Sequence, residues 1–485
     1  MKILMVSSEA YPFAMTGGLA EMTSSLAKAL RKTGHDVRVA MPFYRCVERE
    51  DVYIRKGRKS VEPVIGGAPK KGLLRQSLLG DIPVYLLENR EYFGRKGLYG
   101  DEEGDYPDNA RRFAFFCRGV LDLLKRMDFR PDVIHCHDWQ TALIPYLLKF
   151  ELERDPFYEK SATVFTIHNL AYQGLFPEEA LADMGLDQAH FGMDRLEFYG
   201  KVNLLTGGVL GADMVTTVSE RYAAEVLTPE FGCGMEGVLG QRQGSFKGIL
   251  NGIDYDEWNP STDRELAKQY TASTLSGKAA QKKALQKLLG LPQIADVPLI
   301  GMVTRLAEQK GIELLLEAMP WLFEQNVQLA VLGTGSRRYL QLMEAAKAKG
   351  RDKLAIDREF NPSLSHRIFA GSDLFLMPSH YEPCGIGQLI AFRYGSVPVV
   401  RRTGGLADTV IDKDDNSKDY NGFVFDEFTS EALKGALKRA CEAYSDRDAW
   451  KKIVRRGMAA DFSWSRSARQ YEDVYRRALE VKRSG

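Results

Sequence analysis

One pattern constrains the fold of this chain more than any other: strand, glycine turn, amphipathic helix and second strand, all within the first forty residues. Ile3 to Ser7 is an apolar run that reads as a buried strand. The turn is Thr16-Gly17-Gly18, and Met22, Leu26, Ala29 and Leu30 give Ala20 to Arg31 the spacing of a one-faced helix. Gly34 closes that helix before Val37-Arg38-Val39-Ala40 opens the next strand. Parallel strands need a crossover between them, so the order predicts a parallel, doubly wound α/β sheet. Val84 to Leu87, Val133-Ile134, Thr163 to Ile167 and Met214 to Val218 extend it. Most of these runs end in polar or glycine residues, as strand ends facing a ligand cleft do.

The alternation then restarts. Pro298 to Val303 is a strand, Gly311 to Met319 a helix, Val327 to Leu332 a strand, and Leu374 to Met377 and Val397 to Val400 repeat the unit. A chain of 485 residues exceeds one hydrophobic core. The expected architecture is therefore α/β, with two doubly wound Rossmann-like domains facing a central cleft. The boundary is placed near Gly244 to Gly248, giving residues 1–245 and 246–460. Residues 461–485 form a separate helical segment, whose apolar face of Trp464, Ala468, Tyr471, Val474, Tyr475 and Leu479 could dock on either domain. Thr16-Gly17-Gly18-Leu19-Ala20-Glu21 is echoed by Thr403-Gly404-Gly405-Leu406-Ala407-Asp408, either by duplication or because both turns need glycine.

Lys plus Arg, 66, nearly balance Asp plus Glu, 65, which argues against nucleic acid or an acidic membrane as the main partner. No apolar run reaches the roughly 20 residues of a membrane span, and the amino terminus lacks a signal-peptide pattern. Six cysteines without CxxC pairing read as free thiols of a cytoplasmic protein.

The candidate chemistry sits at the strand ends. Gly17 and Gly18 precede a helix, where bare backbone N–H groups suit an anion; an ordinary turn would look the same. Arg305 and Lys310 flank a strand-to-helix loop and suit a diphosphate leaving group, or else are solvated surface cations. Glu382, between a proline and the glycines at 385 and 387, is placed to accept hydrogen bonds from sugar hydroxyls, or serves as a helix-end charge. His135 and His137 share a strand face without a third metal ligand, so a hydrogen-bonding or aromatic sugar platform is favoured over a metal. His168, Asn169, Tyr172 and Gln173 concentrate polar and aromatic groups suited to a hydroxyl-rich ligand.

In one order the chain carries Ser7-Ser8-Glu9-Ala10 before the glycine turn, His137-Asp138-Trp139, His168 to Gly174 and Asn251-Gly252-Ile253-Asp254. Arg305 with Lys310, Glu382-Pro383-Cys384-Gly385 and Arg402 to Asp408 follow. This series resembles the bacterial glycogen synthase and plant starch synthase family of retaining GT-B glycosyltransferases, from Met1 to at least Tyr475. The resemblance implies ADP-glucose as donor and glycogen or another α-1,4-glucan as acceptor, with no metal, no cofactor, and a C-terminal helix returning to the first domain. It implies catalytic roles for Glu382, His168, Asp138, Arg305 and Lys310. Donor binding would fall to Met15, Gly17, Gly18, Asn251, Cys384, Gly385, Thr403 and Gly404 with the two cations. Sugar and acceptor contacts would come from Asp138, Trp139, His168, Asn169, Tyr172 and Gln173.

Three positions depart from the family pattern. Met15 stands where lysine is usual, Glu21 where aspartate is usual, and Gly387 where many members carry threonine. A charge-assisted contact of the lysine kind contributes about 1.5–3 kcal/mol. These departures keep two alternatives open: a related transferase using UDP-glucose or another acceptor, and a weakly active glucan-binding homologue. Nothing in the residues fixes an oligomeric state.

Overall fold

The structure is a computed structural model describing residues 1–49, 51–350, 352–359, 361–415 and 418–484. Glu50, Arg351, Phe360, Asn416, Ser417 and Gly485, which fall within the expected domain spans, lie outside the described residues. The chain divides into two compact units: Met1–Leu250 together with the segment from Trp464 onward, and Asn251–Ser463.

Unit 1 is built on a nine-stranded sheet. Its strands are β1 (Lys2–Val6), β2 (Asp36–Pro42), β3 (Arg55–Val61), β4 (Gly72–Leu79), β5 (Ile82–Glu88), β6 (Val133–His137), β7 (Ala162–Ile167), β8 (Met214–Thr217) and β9 (Phe246–Gly248). They lie in the order β9-β8-β7-β6-β1-β2-β5-β4-β3. Pairing is parallel from β9 through β5, while β4 and β3 add an antiparallel edge. The central strands are buried on both faces, so they read as continuous apolar runs. Strand β3, Arg-Lys-Gly-Arg-Lys-Ser-Val, is mostly exposed and shows neither alternation nor an apolar run. It therefore escapes the hydrophobic signal that exposes the others.

Helix α1 (Gly18–Lys32) follows β1, and helix α2 (Asn109–Met127) crosses from β5 to β6, burying Phe113, Phe115, Phe116, Leu123 and Leu124.

Unit 2 carries a six-stranded sheet of β10 (Leu299–Val303), β11 (Gln328–Leu332), β12 (Leu354–Asp357), β13 (Leu374–Met377), β14 (Val397–Arg401) and β15 (Phe423–Phe425). The order β12-β11-β10-β13-β14-β15 is parallel throughout. It reverses direction between β10 and β13, the topological switch point of a doubly wound sheet. Helices α3 (Ile312–Glu324), α4 (Gly387–Tyr394) and α5 (Gly404–Thr409) start from the loops after β10, β13 and β14.

Helix α6 (Trp464–Ser484) belongs to unit 1. Tyr471, Val474 and Tyr475 are buried there, and burial of such side chains contributes about 1.5–3 kcal/mol each. The Ser467 hydroxyl donates to the Leu250 carbonyl at 2.6 Å. Among the described residues no helix is long and apolar enough to cross a membrane.

Candidate functional site

The two units each gather a cluster of the candidate residues at strand carboxyl ends. In unit 1, β1 runs on into Ser7, Ser8, Glu9 and Ala10, all buried, and the chain returns through Met15 and Thr16 to α1. Gly17 caps α1 at an extended φ of −166°, and a Cβ there would meet no atom within 4 Å. The glycine leaves the helix start uncovered rather than relieving strain. Met15 is half-exposed and brings no charge to this turn. Glu9, at 3% exposure, accepts hydrogen bonds from the Thr16 backbone N–H, the Thr16 hydroxyl and the Tyr99 hydroxyl.

Strand β6, paired with β1, delivers Asp138 at φ 55°, in the left-handed region. Its Oδ1 accepts the His168 backbone N–H at 2.7 Å, joining the ends of β6 and β7. Burial raises the Asp138 carboxyl to about 7; the Glu9 charge adds to the rise, and the N–H groups of His168 and Asn169 oppose it. His168 Nε2 lies 3.2 Å from His137 Nδ1. Burial lowers the His168 imidazole to about 3 and His137 well below its ordinary value, so both stay neutral. His135 spends both ring nitrogens, Nδ1 on Tyr475 at 2.9 Å and Nε2 on Thr166 at 2.6 Å. Neither is left to ligate a metal.

Tyr172 is exposed, and Asn169 turns its Oδ1 onto the Ala171 N–H at 3.1 Å. Two of the expected sugar contacts, Trp139 and Gln173, are tightly packed within unit 1. Trp139 is buried edge-to-face against Phe113 and Phe176, and a Cβ on Gly174 would lie 2.7 Å from its ring. Its ring supports the 173–174 turn. Gln173, also buried, commits its amide at both ends, donating to Cys233 O at 3.0 Å and accepting from Asn203 at 2.7 Å. These bonds brace the turn that follows β7.

In unit 2, the loop after β10 carries Arg305 and Lys310. Lys310 Nζ donates to both carboxylate oxygens of Glu382, at 2.9 and 2.7 Å, and the Ser379 hydroxyl adds a third bond at 2.9 Å. Glu382 is thereby fixed although only 6% exposed. Arg305 is exposed, and its guanidinium has no side-chain partner among the described residues.

The glycines explain how the loop is held. At φ 67°, Gly311 starts α3 so close to Pro378 that a Cβ would lie 2.0 Å from its carbonyl oxygen. Gly404, at φ 44°, would place a Cβ 1.9 Å from the Glu382 carbonyl oxygen. The Thr403-Gly404 turn, with Thr403 buried, thus lies directly on the backbone of the Glu382 loop. Gly385 is also left-handed, at φ 69°. The Gln388 amide donates to the carbonyls of Cys384 and Gly385 at 3.1 and 2.9 Å. Cys384 is buried, and burial pushes its thiol up to about 12, opposed by the Asn251 backbone N–H. Among the described residues, the buried Oδ1 of Asn251 has no hydrogen-bond partner.

Lys310, Glu382, Cys384, Gly385, Asn251, Thr403 and Gly404 therefore form one contiguous cluster. Ser379, Gln388 and Glu9 complete the two clusters unannounced by their residue types. The signal for Glu9 is an acid directly after a buried strand, in a run otherwise of small residues.

A starch synthase catalytic domain model matches residues 2–241, and a group 1 glycosyl transferase model matches residues 291–457. The chain is 60% identical over 482 residues to the glycogen synthase of Geotalea uraniireducens, covering 99% of this chain and 100% of that one. It is 57% identical over 483 residues to glycogen synthase 2 of Geobacter sulfurreducens, with 100% of both covered. Among solved structures, the catalytic domain of starch synthase IV from Arabidopsis thaliana, bound to ADP and acarbose, superposes with a TM-score of 0.92 at 37% identity, covering 99% of each chain.

Proposed function

Since this chain belongs to the glycogen synthase and starch synthase family, and is on that ground a GT-B hexosyltransferase, we propose that its donor is ADP-glucose. In this reading it extends the non-reducing end of an α-1,4-glucan with retention of configuration and releases ADP. The observation that carries it is the Lys310–Glu382 pair of unit 2, a buried carboxylate held by a cation on the loop that also carries the exposed Arg305.

The chemistry asks for little covalent help. The bond from glucose C1 to the diphosphate oxygen breaks, C1 joins the acceptor hydroxyl oxygen on the same face, and the hydroxyl proton passes to the departing phosphate. Charge grows on the leaving group and an oxocarbenium-like centre forms on the sugar. Arg305 and Lys310 stabilise the first, and fixed cations of this kind act most strongly as charge develops. Glu382 holds donor hydroxyls and faces the electron-poor sugar. From unit 1, His168 and Asp138 supply hydrogen bonds to the hexose, the neutral imidazole adding no charge. Gly17 and Gly18 leave the start of α1 open to the donor, with Met15 beside them. In unit 2, Asn251, Cys384, Gly385, Thr403 and Gly404 form the donor cradle. Asn169 and Tyr172 serve the sugar or acceptor. A cytoplasmic location belongs to the same proposal and fits six free thiols.

The test is a donor panel with glycogen as acceptor, following release of the nucleoside diphosphate. ADP-glucose is expected to give the highest kcat/KM. Met15, an uncharged side chain beside the first turn, favours one alternative specifically, a donor other than ADP-glucose. A higher kcat/KM with UDP-glucose would replace the donor assignment, and no transfer from any nucleotide-glucose would end it.

A further inference from the structure

Glu9 is not among the residues given a role above, yet its surroundings are built with unusual completeness. Its carboxylate is 3% exposed and accepts from donors only: the Thr16 N–H, the Thr16 hydroxyl at 2.6 Å and the Tyr99 hydroxyl at 2.6 Å. Three donors converge on this one carboxylate and fix its position. Tyr99 Oη also lies 2.8 Å from Ser8 Oγ, so the tyrosine is tied to both residues that follow β1.

Tyr99 is itself held from α2. Asn109 Nδ2 donates to the Tyr99 carbonyl at 2.9 Å, and the fully buried Arg112 donates to the Leu98 carbonyl at 2.9 Å and to Tyr92 O at 2.7 Å. The Arg112 guanidinium sits 4.9 Å from the centre of the Tyr106 ring, and the Tyr106 N–H returns to Tyr99 O at 2.9 Å. A chain of bonds therefore runs from α2 through Leu98 and Tyr99 to Glu9, and from Glu9 to Thr16, the residue immediately before Gly17 and Gly18. Gly17 carries no side chain to steady the turn, and Thr16 immediately before it is held by Glu9 through both its N–H and its hydroxyl.

We propose that Glu9 is a positioning residue for donor binding, whose carboxylate, tied to Tyr99, locks the Thr16-Gly17-Gly18 turn in the conformation that receives the nucleotide-sugar. The inference rests on the functional reading above, in which that turn faces the donor. It also makes a prediction of opposite sign to simple electrostatics. Removing an anion near a diphosphate should tighten its binding; releasing the turn should weaken it.

The experiment measures KM and kcat for ADP-glucose and, separately, KM for glycogen in Glu9→Gln, Tyr99→Phe and the double variant. Glu9→Gln should raise the donor KM about tenfold, the effect of losing charge-assisted bonds, with the glycogen KM unmoved. The double variant should match Glu9→Gln within about twofold, because both changes break the same tie. Thr16→Val should reproduce the donor effect and Thr16→Ser should rescue it, which keeps the test intact if Glu9→Gln fails to fold. A donor KM that is unchanged or lower in Glu9→Gln and in Thr16→Val overturns the inference, as does a rise confined to glycogen. Failure of the unsubstituted protein to use ADP-glucose would instead sink the functional reading.

Discussion

Replacing Lys310 by methionine removes a cation while keeping an unbranched side chain of similar reach. The ammonium lies 2.9 and 2.7 Å from the two oxygens of Glu382, and the side chains are 17% and 8% exposed. In the variant the carboxylate keeps the Ser379 hydroxyl, at 2.9 Å, as its remaining side-chain partner. Stranding one charge of a fully buried pair costs about 3–5 kcal/mol. Lys310 is open enough for water to reach the gap, so the expected loss is reduced to about 2 kcal/mol. Urea denaturation of the unsubstituted protein, both single variants and the double variant gives the loss from the midpoints at constant slope. Adding Glu382→Gln removes the stranded charge and should recover about 1 kcal/mol or more relative to additivity. A Lys310→Met loss under about 0.5 kcal/mol, or strictly additive losses, would show a solvated bridge that does not hold Glu382 in place.

Other outcomes follow from the same coordinates. Asp138 is raised to about 7 by burial, so its contribution to stability is full below its unfolded value of 3.8 and is lost as pH rises toward 7. Asp138→Asn should abolish that slope, gaining roughly 2 kcal/mol on the unsubstituted protein between pH 4 and pH 8, as read by denaturant midpoints. Gly404→Ala forces a left-handed alanine and a Cβ 1.9 Å from the Glu382 carbonyl oxygen. It should lower kcat/KM at least about 100-fold in a steady-state assay, since the displaced backbone carries Glu382. Met15→Lys places a cation at the half-exposed first turn. By calorimetric titration it should strengthen ADP-glucose binding about 10-fold to 100-fold, and unchanged affinity would mean that another group already fills that role.

The doubly wound architecture was legible because strands buried on both faces must be apolar and their crossovers must be helical. The strands at Leu354–Asp357 and Phe423–Phe425 escaped that signal, the first being four residues ending in an aspartate and the second only three residues long. Residue type and spacing brought Lys310, Glu382, Gly385 and Gly404 into view, since each needs its chemistry or its backbone freedom where it stands. At Trp139 and Gln173 the same signals left the packing unseen. An aromatic and an amide next to polar neighbours look like ligand groups, and only the structure shows that Phe113 and Phe176 pack on the first and that Cys233 and Asn203 bond the second. Glu9 illustrates the converse. One of its partners, Tyr99, lies 90 residues away, a distance that no local pattern spans.

The central claim, that the Glu382 cluster of unit 2 carries glucose transfer, is tested most directly by following radiolabelled glucose from ADP-glucose into glycogen with the unsubstituted protein and Glu382→Gln. Incorporation should fall about 100-fold or more in the variant, while Lys310 and Ser379 keep their hydrogen-bond partner in place. Equal incorporation by the two proteins would contradict the account.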